Sequence, residues 1–233
     1  LRRADGSIAP VPLALIPAGT GRDFSRSIAT SRKPVQVARR IGRGVSERVV
    51  DIGEIALENG EVRLFLNIAS FGVTARIAHA LEEFPRLKRH AGALAFGIAT
   101  MRAGLGYAPD RVALRVDGQE PVDGPVAAAA IANGAWFGGG MHVAPTARLD
   151  DGRFEVVRFG DIARSDFVVS LPLLYKGTHY AHPKVTVAQG ATVMASPSGG
   201  AGARAVEIEA DGEIVGALPA RFRVRPAALT LLV

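Results

Sequence analysis

From about residue 51 onward the chain is a succession of short strand-like segments separated by Asp-Gly or Gly-rich turns. Seven stand out: 63–68 (RLFLNI), 111–117 (RVALRVD), 126–132 (VAAAAIA), 154–159 (FEVVRF), 184–187 (KVTV), 205–211 (AVEIEAD) and 220–224 (ARFRV). Successive side chains of a strand point to opposite faces, so apolar and polar residues taken in turn give one buried face and one wet one. Many short strands joined by tight turns predict an antiparallel β-sandwich rather than a parallel sheet or a helical bundle. Two longer segments, 73–84 and 91–105, read as helices to be packed on it.

The first 50 residues have another texture. Residues 12–16 (PLALI) form a short apolar run that ends at Pro17 and reads as a buried strand. Ala18-Gly19-Thr20-Gly21-Arg22 follows as a tight loop, and Asp23 suits the start of a helix. Pro34 disfavours helix at the residue before it, so 31–34 reads as a turn, after which 35–41 (VQVARRI) resumes a helical pattern. The expected fold is therefore an α/β remnant over residues 1–50, followed by an all-β domain, an antiparallel β-sandwich, over residues 51–233. Residues 196–202 (SPSGGAG) read as a flexible loop, and no internal repeat occurs.

Composition narrows the function classes. The 233 residues contain no cysteine, which excludes disulfides and thiolate metal sites. No apolar stretch approaches the roughly 20 residues that span a bilayer. The first residue is Leu, not Met, and residues 1–6 lack the apolar core of a signal peptide, so the chain is expected to begin inside a longer protein. Residues 1–50 hold ten Arg or Lys against three Asp or Glu, whereas 51–233 are close to neutral. A basic segment of this kind fits phosphate ligands, nucleic acid or an anionic membrane surface. Aromatic residues make up only 6% and do not interleave with the basic ones, which counts against single-stranded nucleic acid.

Several motifs have both a chemical and a structural reading. The glycines of residues 17–23 let a backbone approach phosphate, and a following helix N-terminus favours anions; a plain strand-to-helix turn has the same look. Asp151-Gly152 and Asp211-Gly212-Glu213 both read locally as hairpin turns. Trp136 and Phe137 stand beside three glycines, as lining of a lipid cleft or as a partly buried strand end. The five histidines are scattered and offer too few ligands for a metal site. No Gly-x-Ser-x-Gly elbow supports hydrolase chemistry.

The segment from Pro17 resembles the Pro-x-Gly-Thr-Gly-Asn-Asp-Phe-Ala-Arg motif of diacylglycerol kinases, sphingosine kinases and their bacterial lipid-kinase relatives. Pro17, Gly19, Thr20, Gly21, Asp23, Phe24 and Arg26 match, while Arg22 replaces Asn and Ser25 replaces Ala. Further blocks follow in the family's order. They are Val50-Asp51-Ile52-Gly53, Phe65-Leu66-Asn67-Ile68-Ala69-Ser70-Phe71-Gly72, and Asn133-Gly134 with Gly138-Gly139-Gly140-Met141. After them come Asp151-Gly152, Lys176-Gly177-Thr178-His179, and Asp211-Gly212-Glu213 with Pro219 and Pro226. The chain resembles the C-terminal two-thirds of such a kinase, with the family's Gly-Gly-Asp-Gly-Thr motif expected upstream of residue 1.

The resemblance implies an ATP-dependent lipid kinase of phospholipid metabolism, acting on a hydroxyl of diacylglycerol or a similar lipid. Residues 1–50 would then be the C-terminal part of a nucleotide-binding catalytic domain. Gly19, Thr20, Gly21 and Asp23 would belong to the nucleotide site, and Glu213 would be the general base. A structural Mg²⁺ would be held by the Asp151 carboxylate and the carbonyls of Arg148 and Arg153, with Asp51 supporting the metal network. The expected ligands are ATP, Mg²⁺ and lipid at a membrane surface, with no nucleic acid. A cytoplasmic protein peripheral to the membrane is expected, and a homodimer is compatible with it. Two other readings stay open: a non-catalytic lipid-binding module, and a kinase of a soluble substrate like the NAD kinases.

Overall fold

The computed structural model describes residues 12–18, 22–31, 33–44, 46–82, 97–100, 102–103, 107–162, 171–200 and 204–233. The N-terminal part supplies a two-residue strand β1 (Leu13–Ala14), helix α1 (Asp23–Ser27) and helix α2 (Pro34–Gly42). Pro34 opens α2, where its missing N–H costs nothing, and Val37 is buried while the arginines lie outward. Ile28, Val50, Leu149 and Leu231 form a small buried cluster that joins this part to the rest, with Leu15 and Phe24 against it.

The remainder is a two-sheet sandwich, as the strand pattern predicts. One sheet contains β2 (Glu47–Leu57), β3 (Val62–Phe65), β5 (Asp110–Val116), β6 (Val122–Val126), β10 (Thr192–Pro197) and β13 (Ala220–Leu232), in the order β3-β2-β13-β10-β5-β6. These strands pair antiparallel, and β1 adds to β13 in parallel as the seventh strand. The second sheet contains β4 (Ile68–Gly72), β7 (Ala128–Ala132), β8 (Phe154–Phe159), β9 (Val185–Gly190), β11 (Glu207–Ala210) and β12 (Glu213–Ala217), in the order β12-β11-β4-β7-β8-β9.

The core lies between the sheets. Phe222, Val224, Val112, Leu114 and Val193 enter it from one side; Phe71, Ile131, Phe154 and Ile208 enter from the other. Phe65 stacks on Phe154 at 5.6 Å between ring centres. A Cβ at Gly53 would lie 2.1 Å from the Phe65 ring, so the glycine makes room for the ring that bridges the sheets. Burying each large side chain contributes about 1.5–3 kcal/mol.

Several strands exceed or escape the sequence reading, β2 and β6 among them. Strand β13 runs on to Leu232 because it bends rather than stops: its register to β2 shifts between Arg225 and Leu229, where Ala227 takes φ 50°. Strand β10 places small or modest residues inward (Val193, Ala195) and a methionine outward, which inverts the usual polarity cue. Strand β12 continues directly from the Asp211-Gly212 turn, where the sequence shows only the turn.

The outer face of the second sheet is also covered. Helix α3 (Val73–Glu82) lies on it, as does a helical stretch at 171–176. Of the expected helix at 91–105, residues 97–100 and 102–103 are helical and the others lie outside the described residues. Of the expected flexible loop at 196–202, residues 196 and 197 end β10 and residues 201 and 202 lie outside the described residues. Strand β7 turns Ala129 and Ile131 to the core and Ala128, Ala130 and Ala132 to α3 and its neighbours. Those three side chains are small, so space remains between the sheet and the helices above it.

Candidate functional site

A cleft of about 770 Å³ runs between the N-terminal part and one end of the sandwich. Arg22 and Asp23 line one side; Leu66, Asn67 and the turn from Asp211 to Glu213 line the other. The turn is built by left-handed residues, with φ 51° at Asp211 and 97° at Gly212. The Asp211 carboxylate accepts the backbone N–H groups of Leu66 (2.7 Å), Asn67 (3.0 Å) and Ile68 (3.1 Å). It thereby fastens the β11–β12 hairpin to the start of β4. Glu213, two residues on, stands exposed at the cleft, and among the described residues its carboxylate has no hydrogen-bond or ion-pair partner. Sequence places the Asp-Gly-Glu turn; the geometry divides its carboxylates into one that fastens and one that projects.

A third carboxylate, Glu209, lines the same cleft and is 6% exposed. It accepts the Ser70 hydroxyl at 2.6 Å and the backbone N–H of Gly212. Burial pushes its carboxyl up to about 7, against the opposing effect of those two donors. The alternation of 205–211 puts Glu209 on the outward face, which reads as solvent; only the placement of α3 over that face buries it.

Across the cleft, Asp23 begins α1 and accepts the backbone N–H of Gly139 at 2.7 Å. Arg26, one turn later, lies 3.6 Å from the other Asp23 oxygen and 5.4 Å from the Trp136 ring centre. Trp136 in turn stacks on His142 at 3.8 Å. So Trp136 is held between a cation and an imidazole, while its neighbour Phe137 lines the cleft. Asn133 Nδ2 donates to the carbonyls of Asp51 and Leu66, and Asn67 Nδ2 donates to Trp136 O. The sequence blocks around Asn67 and Asn133 are thus one interlocked wall. Gly19, Thr20 and Gly21 lie outside the described residues.

Arg22 precedes α1 with φ 54° and ψ 32°, a left-handed conformation. Asn and Gly tolerate that region better than other residues, which explains why an Asn stands here in the motif this segment resembles. Arg22→Asn is expected to raise stability by about 0.5–1 kcal/mol, read from denaturant unfolding, and an unchanged midpoint would show the strain to be absent.

The 148–153 loop lies away from this cleft; none of its residues lines it. Asp151 is exposed and accepts the N–H of Arg153 at 3.0 Å, while Asp150 pairs with Arg48 and Arg148, each at 3.4 Å. Asp51 is buried, and both its oxygens accept backbone N–H groups, from Gly152 and Ala227 at 2.7 Å. It locks the loop against the bend of β13. Among the described residues no group of three or more His, Cys, Asp or Glu forms a metal cluster. Two of the histidines make structural contacts: buried His179 bonds the carbonyl of Val143 at 3.0 Å, and His79 pairs with Glu207 at 3.1 Å.

Next to the cleft, over the alanines of β7, lies an apolar pocket of about 70 Å³. Thr74, Ile77 and Phe137 line both spaces. Thr74 is 9% exposed, and among the described residues its hydroxyl has no hydrogen-bond partner. Among the described residues no helix is long and apolar enough to cross a membrane.

Residues 67–233 match the family described as the YegS C-terminal NAD kinase beta sandwich-like domain. A diacylglycerol kinase of Mycobacterium tuberculosis is 27% identical over 222 residues, covering 95% of this chain and 69% of that protein. A "Probable lipid kinase YegS-like" of Chromohalobacter salexigens is 32% identical over 146 residues, covering 62% of this chain and 44% of that protein. Among solved structures, a diacylglycerol kinase from Bacillus anthracis str. Sterne superposes with a TM-score of 0.65 at 16% identity, over 95% of this chain and 66% of that one. The sandwich, the ordered motifs and these relatives agree: the chain belongs to the lipid kinase family marked by the YegS C-terminal NAD kinase beta sandwich-like domain.

Proposed function

We propose that this protein transfers the γ-phosphate of ATP to a hydroxyl of diacylglycerol or a closely related lipid, with Glu213 as the general base. One observation carries the reading: a carboxylate with no hydrogen-bond or ion-pair partner among the described residues lines the cleft that Asp23 also lines, beside an apolar pocket. Glu213 would take the proton as the lipid oxygen attacks phosphorus; the new O–P bond forms as the bond to the β-phosphate oxygen breaks, and ADP leaves. Asp211 keeps the turn in place. Asp23 ties α1 to Gly139, and Gly19, Thr20 and Gly21 would serve the nucleotide in this reading. The apolar pocket would take the end of an acyl chain, and the cleft the glycerol portion.

In this reading residues 1–50 complete the nucleotide domain and residues 51–233 form the lipid-facing one. The protein acts from the cytoplasm on a bilayer without spanning it. Mg²⁺ would be held by the Asp151 carboxylate and the carbonyls of Arg148 and Arg153, a set of hard oxygen donors that suits it. When bound there it would supply positive charge that steadies the loop. The test is transfer of labelled γ-phosphate by the full natural protein to a panel of lipids and to NAD. Label on diacylglycerol is expected. Label on NAD alone would make the protein a kinase of a soluble substrate, and binding of lipid without any transfer would make it a non-catalytic module.

A further inference from the structure

We propose that the outer face of the seven-stranded sheet docks on an anionic lipid bilayer. The face is assembled from strands that are distant in sequence. The pairing register sets Val62 opposite Ala56, Ala56 opposite Arg221, Arg221 opposite Met194, and Met194 opposite Arg115. Opposed residues point to the same side of a sheet, so these five make one row across five strands. Their strand neighbours Phe222, Val193 and Leu114 are buried in the core, which puts the row on the outside. Met194 is 51% exposed and Val62 54%, and Leu64, one step along β3, is 58% exposed.

Charge and apolarity coincide here. Among the described residues Arg115 and Arg221 have no carboxylate partner, and they flank Met194. In the next two rows Arg223 and Arg225 share a single carboxylate, Glu54, and at the far edge Arg111 pairs with Asp123. Five arginines thus share the face with two carboxylates. A second copy of the chain would bring the same excess of positive charge against it, whereas anionic headgroups complement it. The exposed methionine, valine and leucine are suited to enter the headgroup boundary. The face is also continuous with the cleft: β3 leads from Leu64 through Phe65 directly into Leu66 and Asn67, which line it.

The test uses the full natural protein and two vesicle preparations, phosphatidylcholine alone and phosphatidylcholine mixed with phosphatidylglycerol, neither containing a diacylglycerol. Co-sedimentation with the mixed vesicles only is expected. Because each arginine at an anionic surface contributes about a fivefold gain, R115A/R221A should lower partitioning by roughly 30-fold. R115K/R221K should retain it, and M194S should lower it severalfold at unchanged melting temperature. Equal partitioning of wild type and R115A/R221A would overturn the proposal and assign binding to the basic N-terminal segment. A change of oligomeric state in R115A/R221A, without change in partitioning, would make the face a contact between copies and would also overturn it. Since no transfer reaction is read, docking can fail while lipid kinase activity stands, and the reverse.

Discussion

Glu213→Gln is expected to lower turnover on lipid by roughly 10²–10⁴, the range for losing a general base. The substitution keeps the size of the side chain and removes only its capacity to accept a proton. Among the described residues the Glu213 carboxylate has no hydrogen-bond or ion-pair partner, so no such contact is lost and the fold should be untouched. KM for ATP and for lipid should move little, and the melting temperature should not move. Asp211→Asn should behave differently. Its carboxylate holds three backbone N–H groups, so weakening it loosens the junction of the hairpin with β4 and lowers stability together with activity. The contrast separates a catalytic residue from a positioning one. A Glu213→Gln protein with unchanged kcat would leave Asp211-Gly212-Glu213 as a hairpin turn and nothing more.

The sandwich was legible because its strands alternate and its turns carry Gly at the bends, both local signals. Strand β8 matches its expected bounds, and β5 differs by one residue at each end. What local pattern does not carry is the partner of a face. Glu209 reads as a solvent-facing residue until α3 lies over it, and Ala128 and Ala130 read as plain strand until the helices above leave a pocket over them. The arginines of the outer sheet face are hidden for the same reason. Residues 51–233 are near neutral in sum, yet strand order gathers Arg115, Arg221, Arg223 and Arg225 onto one side. The candidate site was legible through the resemblance rather than through periodicity. Asp151-Gly152 and Asp211-Gly212 look alike as dipeptides, and only tertiary placement puts the second at the cleft and the first away from it. Asp51, expected to support the metal network, has both oxygens on backbone N–H groups, a contact no local pattern signals.

Glu209→Gln is expected to flatten the pH dependence of stability and to stabilise the protein at alkaline pH. The carboxyl titrates near 7 in the folded state against an ordinary value of 4.5, because it is buried beneath α3. The folded state therefore binds a proton more tightly than the unfolded one. The stability from this group is fully present below pH 4.5 and is lost as the pH rises through 7, since above it the folded state must hold a buried anion. The shift corresponds to about 3 kcal/mol between those limits. Gln keeps the geometry: its oxygen can accept the Gly212 N–H, and its amide can donate to the Ser70 hydroxyl. It carries no charge at any pH, so the variant should gain about 3 kcal/mol on wild type between pH ~4 and pH ~8. Urea unfolding of both proteins across that interval measures the difference directly. Parallel pH profiles would mean that Ser70, Gly212 and the solvent of the cleft stabilise the anion as well as water does, and that Glu209 is ionised throughout.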